Sequence, residues 1–206
     1  NEFIYWSIQI VMYPYMTGLV AGAFVLSSLY HVFGQKDLKE IAQFSLVFSL
    51  ALLPVAAMPL LLHLQQPTRA MEPLLTPHFT SAIAAFGIVF TTYALIVLSE
   101  IWFVYRKYFV EQVHALKGKA GLSNVMTRTV YRVLTIGAYD VSDGAIRIDK
   151  KAATILAAIG IPVACFLHGY AGFIFGSVKA NALWMSPLMP VIFIMSAVVS
   201  GIALCM

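Results

Sequence analysis

Charge is scarce in this 206-residue sequence. Aspartate and glutamate number 9 and lysine and arginine 13, so 11% of residues are charged while 61% are hydrophobic, against about 25% and 45 to 50% in an ordinary soluble domain. That balance excludes a water-soluble globular fold. Cysteine is nearly absent: Cys165 and Cys205 stand far apart in apolar segments without CxxC spacing, so neither a disulfide framework nor a zinc or iron–sulfur site is legible, and no metal ligands are assigned. Low-complexity tracts and short-period repeats are missing too. The net charge of +4 would hint at nucleic acid in a soluble domain, but the basic residues crowd into connecting loops, where membrane topology accounts for them. No nucleic-acid partner is expected.

What is present is apolar. Five runs, residues 3–33, 41–64, 79–108, 152–175 and 187–206, match or exceed the roughly 20 residues that carry a helix across a hydrocarbon core, and their number excludes a single cleaved leader. The sequence therefore predicts an all-α integral membrane protein, a polytopic bundle of about five transmembrane helices comprising a four-helix bundle plus the start of a further one. Residues 1–206 read as one transmembrane domain in the lipid bilayer. The chain starts at Asn1 without a methionine and stops at Met206 inside an apolar run, so it reads as a fragment of a longer protein. Pro14 is expected to kink the first span, and Pro54 and Pro59 each remove a backbone hydrogen bond that neighbouring helices must cover. Gly18 and Gly22, and likewise Gly172 and Gly176, have the spacing of helix faces that admit a close neighbour.

The loops set the orientation. Residues 63–78 hold three prolines and two histidines and read as a surface or re-entrant loop; residues 106–151 are a charged connection with an amphipathic piece at 124–133. Eleven of the 13 basic residues, namely Lys36, Lys39 and the nine from Arg106 to Lys151, fall in loops that five spans place together, leaving Arg69 and Lys179 opposite. Basic residues accumulate in cytoplasmic loops, so 109–150 reads as a cytoplasmic loop and the N-terminus as outside. Gln9, Tyr13, His63, Arg69, His168 and Lys179 are then expected together at the outer membrane edge. Glu100 is separate. An intramembrane carboxylate is costly when charged and is a functional candidate by default; six residues before Arg106, it reads as a snorkelling or paired carboxylate or as a proton relay with Tyr93 and His31.

The run HGYAGFIFGSVKANALWMSPLMPVIF, His168 to Phe193, together with the following apolar segment, resembles the membrane subunits of the NrfD and polysulfide reductase family. Within it the run looks most like subunits associated with sulfite reduction complexes and related hydrogenase-linked ones. The resemblance implies a quinone-reactive subunit of a respiratory electron-transfer complex, in the cytoplasmic (inner) membrane of a prokaryote. Its cofactor would be a quinone, menaquinone or ubiquinone, with no haem or iron–sulfur cluster of its own. Its partners would be a ferredoxin-like iron–sulfur subunit and other membrane subunits. Relatives carry a D-L-any-any-P-any-R pattern where this chain has His63, Leu64, Gln65, Gln66, Pro67, Thr68 and Arg69, so proline and arginine match and a histidine replaces the acid. Tyr170, Ala171 and Gly172 stand at a YTG-like motif, and Tyr13 precedes Gly18, Leu19, Val20, Ala21 and Gly22, which resemble a GLAGG-like stretch. A quinone headgroup needs donors to its carbonyl oxygens and a route for protons. His168, His63 and Glu100 are accordingly the candidates for proton chemistry, and Tyr13, His63, Arg69, His168, Tyr170 and Lys179 for binding, although Tyr170, two residues from His168, points away from it on an ideal helix.

Other readings stay open at this stage. His63 and His168 could ligate one haem in a b-type cytochrome; Glu100, Lys179 and the proline-broken helices suit an ion-translocating or transporter subunit; and an assembly anchor needs no ligand. The bland role of each polar residue, a capping or packed histidine, an interface tyrosine, a snorkelling lysine, competes with the functional one throughout.

Overall fold

The computed structural model describes residues 7–64, 66–76, 78, 82–118, 121–177 and 184–206. Among them the chain forms seven α-helices: α1 (Ile8–Phe33), α2 (Lys39–His63), the one-turn α3 (Glu72–Leu75), α4 (Ala82–Ala115), α5 (Leu122–Leu134), α6 (Asp143–Gly176) and α7 (Met189–Cys205). Four of these, α1, α2, α4 and α6, are long and apolar enough to cross a membrane. The fifth apolar helix, α7, has 17 residues up to Cys205, so the expected set of about five apolar helices is present, four of them long. The expected run boundaries hold within a few residues at most ends. The exceptions are α4 and α6, which continue well into what reads as loop. Each has 34 residues, about 50 Å at helical rise against a hydrocarbon core of about 30 Å.

α1, α2, α4 and α6 pack in a circuit in that order, and α7 lies against α1 and α6 from outside. α1 and α4 are therefore diagonal, and long side chains join them through the middle. Phe24 and Tyr93 meet edge to face at 5.5 Å, and the Tyr93 hydroxyl donates to the Val20 carbonyl at 3.3 Å. Phe24, Tyr93, Val97 and Leu46 are sealed from solvent around this crossing. Gly160 of α6 makes room for it, because a Cβ there would collide with the Phe24 ring.

The GxxxG of α1 does what its spacing predicts, and its partner is α7. A Cβ on Gly22 would come within 2.7 Å of the Gly201 Cα, and one on Gly18 within 3.1 Å of the His168 ring. Gly172 opposes the start of α7 in the same way, since a Cβ there would come within 2.8 Å of the Met189 carbonyl oxygen. Pro14, Pro54 and Pro59 lie within continuous helix. α5 is amphipathic as expected, with no buried residue, and is fixed to α4 by the Trp102 indole N–H donating to the Leu134 carbonyl at 2.9 Å.

The two ends of the bundle differ. Where α4 ends and α6 begins lie α5 and most of the basic residues; this is the basic end. The opposite end, holding the start of α1, the end of α2 and the α6–α7 turn, is the His63 end.

Candidate functional site

The polar residues expected at one edge occupy separate layers. His63 ends α2 half-exposed, its Nδ1 2.8 Å from the Ser7 hydroxyl just before α1. Ser7 also donates to the Gln9 side-chain oxygen at 3.2 Å. Tyr13 lies six residues along α1, roughly 9 Å deeper at 1.5 Å per residue. It is buried, its ring edge-on to Phe86 at 5.6 Å, and its hydroxyl has no partner among the described residues. His168 is deeper still. Its Cε1 and Nε2 face Gly18, eleven residues from Ser7, which places it roughly 16 Å below the His63 layer. The imidazole is buried, packs against Phe193 at 5.6 Å between centroids, and leaves Nδ1 unpartnered among the described residues.

The common level expected for His63 and His168 is thus not what the fold gives. The reason is that His168 is a full two turns before α6 ends at Gly176. The same offset separates the two histidines by far more than two axial ligands of one iron, and Nε2 of His168 is turned onto α1. Tyr13 and His168 lie in the same half of the bundle, about five residues apart along α1. Tyr13 shares one buried cluster with Leu167 and Ala171, the α6 residues flanking His168 by one and three positions. These are buried donors with unspent hydrogen-bonding capacity, in the half of the bundle toward the His63 end.

The remaining candidates divide. Tyr170 is half-buried between Phe166 and Phe173, each about 5.7 Å away, and packs on the core cluster as the i+2 offset requires. Arg69 is exposed in a single 3₁₀ turn, Pro67–Arg69, with Nε 3.5 Å from Glu72. Lys179 lies outside the described residues, and α6 stops before it at Gly176. Beside that point a crevice of ≈ 390 Å³ opens where α6 meets α7, lined by Phe173, Gly176, Ser177, Met185, Ser186 and Pro190. Beside His168, among the described residues, lies a cleft of ≈ 10 Å³, about the room of one water.

Glu100 is fully buried in α4 at the basic end's half of the bundle, and neither carboxyl oxygen has a hydrogen-bond partner among the described residues. It is not paired with Arg106. That guanidinium grips Asp149 of α6 instead, Nη2 donating to Oδ2 at 2.6 Å and Nε to Oδ1 at 3.1 Å, with Nη1 donating to the Ala138 carbonyl at 3.2 Å. A side-by-side fork of this kind is the strongest geometry an Arg–carboxylate pair has. Sequence reading missed it, since the partners are 43 residues apart in what reads as one charged connection; the only signal was a carboxylate and an arginine at comparable distances from their span ends.

A family model described as "Polysulphide reductase, NrfD" matches residues 1–206. A selenate reductase subunit from Mesobacillus selenatarsenatis is 33% identical over 205 residues, covering 97% of this chain and 46% of that protein. A Halobacterium salinarum protein provisionally named as the membrane subunit of a dimethyl sulfoxide reductase is 27% identical over 200 residues, covering 97% of this chain and 41% of that one. Neither is named as a sulfite-reduction or hydrogenase-linked subunit. The chain spans less than half the length of these curated relatives.

Proposed function

The chain belongs to the NrfD polysulphide reductase family, and on that premise we propose that it is the quinone-interacting part of a membrane subunit in a reductase complex. The quinone headgroup docks in the half of the bundle toward the His63 end. The observation that carries this reading is the pair Tyr13 and His168, buried polar side chains from α1 and α6 whose Oη and Nδ1 have no partner among the described residues. Buried donors left unmet are costly, and a quinone supplies two carbonyl oxygens. When bound, the quinone contributes a lipid-soluble carrier of two electrons and two protons.

Tyr13 and His168 would hold that headgroup, and an imidazole has both a donor and an acceptor nitrogen with which to pass the accompanying proton. The crevice between α6 and α7 offers apolar walls to the isoprenoid tail. His63, with Ser7, stands roughly 16 Å nearer the end and fits a proton's exit path better than a contact on the same headgroup. Arg69 falls at the same end and suits docking of an acidic surface, as Lys179 would by its place in the sequence, and the expected partner is a ferredoxin-like iron–sulfur subunit. With the basic end cytoplasmic by charge distribution, the quinone edge is the outer one.

The experiment is quinol-linked electron transfer in the assembled, full-length complex carrying His168→Gln. Electron transfer is expected to fall by at least about tenfold, equivalent to about 1.4 kcal/mol, while the subunit remains inserted and its partners remain attached. Unchanged turnover at saturating and limiting quinol would remove His168 from the site and the reading with it.

A further inference from the structure

At the basic end, side chains from α1, α2, α4 and α6 line a cavity of ≈ 510 Å³. Lys36, Lys39, Lys107 and Lys150 stand around it, and His31 contributes part of its wall. Behind His31 is Glu100, with Nδ1 of the imidazole 3.9 Å from the carboxyl Oε1. Ser27, one turn before His31 on α1, is sealed from solvent, and its hydroxyl has no partner among the described residues either. Ser27, His31 and Glu100 thus leave polar atoms unmet in one half of one bundle, against the rule that buried polar groups are paired. From this geometry we infer that His31 and Glu100 form a proton-binding site at the bundle centre, loaded by water through the cavity at the basic end.

Enclosure identifies the occupant. Glu100 has no exposed surface, so no lipid or partner subunit reaches it without dismantling the bundle; something that passes along the cavity does. The charged groups facing the site argue for a proton over a metal ion. Of the carboxylates nearby, Asp149 is held by Arg106, and Glu111 sits 3.7 Å from Lys107. That leaves a mouth of ammonium groups and a single carboxyl inside, a poor cage for a cation that must shed its water. A proton needs no such cage, because water and imidazole relay it. Water in the cavity gives a proton to the free imidazole nitrogen of His31, Nδ1–H passes one through a water bridging the 3.9 Å gap to Oε1 of Glu100, and the imidazole is left neutral. The net change is one proton taken from the cavity and bound on the carboxyl.

The site opens one way. Beyond Glu100 on α4 come Val97 and Tyr93, and beyond Ser27 on α1 comes Phe24, all fully buried, with the Tyr93 hydroxyl committed to the Val20 carbonyl. This apolar layer separates the proton site from Tyr13 and His168. The inference therefore stands apart from the quinone reading, and either can fail alone.

The test is infrared spectroscopy of the full-length protein in its complex, following the carboxylic C=O band and its exchange in deuterium oxide. The wild type is expected to show a protonated-carboxyl band that titrates with pH and disappears in Glu100→Gln. Narrowing the cavity with Thr154→Trp, at a wall residue exposed to solvent, should keep the band and slow its exchange by about tenfold or more. His31→Phe should slow it likewise. A wild type without the band, a band that survives Glu100→Gln, a titration displaced by sodium, or exchange indifferent to both slowing variants would overturn the proposal. If Glu100→Gln does not accumulate, the two exchange measurements decide alone.

Discussion

The two ends of this bundle treat their polar side chains in opposite ways. At the basic end the strongest charges are paired across helices, Arg106 with Asp149, and the two groups without a hydrogen-bond partner among the described residues, Glu100 and His31, open on a cavity through His31. Toward the His63 end the crevice between α6 and α7 stands apart from Tyr13 and His168, which are held unpartnered among the described residues by close packing against Phe86, Gly18 and Phe193. An ion pair fixes two long helices where they project beyond the apolar core; small residues fix α1, α6 and α7 where lipid leaves packing to do the work. The comparison teaches that stability and the candidate ligand sites draw on different residues, so they can be disturbed separately.

The sharpest way to break that separation is Asp149→Ala. It strands a buried guanidinium, and breaking one side of a buried pair typically costs about 3 to 5 kcal/mol. Loss of assembled protein, or a large fall in thermal midpoint, is expected, with much of it recovered in Arg106→Met combined with Asp149→Leu. Gly22→Leu comes next. The new side chain meets Gly201 and Ala197, and overpacking of this kind costs about 1 to 3 kcal/mol; a lowered thermal midpoint and weakened cross-linking between α1 and α7 would register it. A smaller effect follows from His63→Ala, which removes one partly exposed contact with Ser7, about 0.5 to 1.5 kcal/mol. Electron transfer should drop less than in His168→Gln, and an equal or larger loss would move the quinone to the shallower layer. The least is expected of Arg69→Ala, whose exposed contact with Glu72 contributes at most about 0.5 kcal/mol to stability. Any larger consequence should appear as salt-sensitive binding of a partner.

The sequence announced the spans because lipid demands length and apolarity, and both are local properties. The GxxxG of Gly18 and Gly22 and the amphipathic helix after Leu122 were legible for the same reason. Depth was not. Whether His168 lies beside His63 depends on where α6 ends and which residue of α1 it meets, and Gly18 settles that only once the helices are packed. Pairing was not legible either: Glu100 is near Arg106 along the chain, but Asp149 wins the guanidinium because α6 brings it there, across 43 residues. Polar residues in membrane helices are conspicuous in a sequence, and their partners are a property of the bundle.

The most direct measurement of the central claim is photolabelling of the full-length complex with a photoreactive quinone analogue, followed by peptide mapping. Adducts are expected on α1 between Tyr13 and Gly18 and on α6 around His168, competed away by excess quinone. Labelling confined to the cavity around His31 and Lys39, or unaffected by competition, would contradict the account.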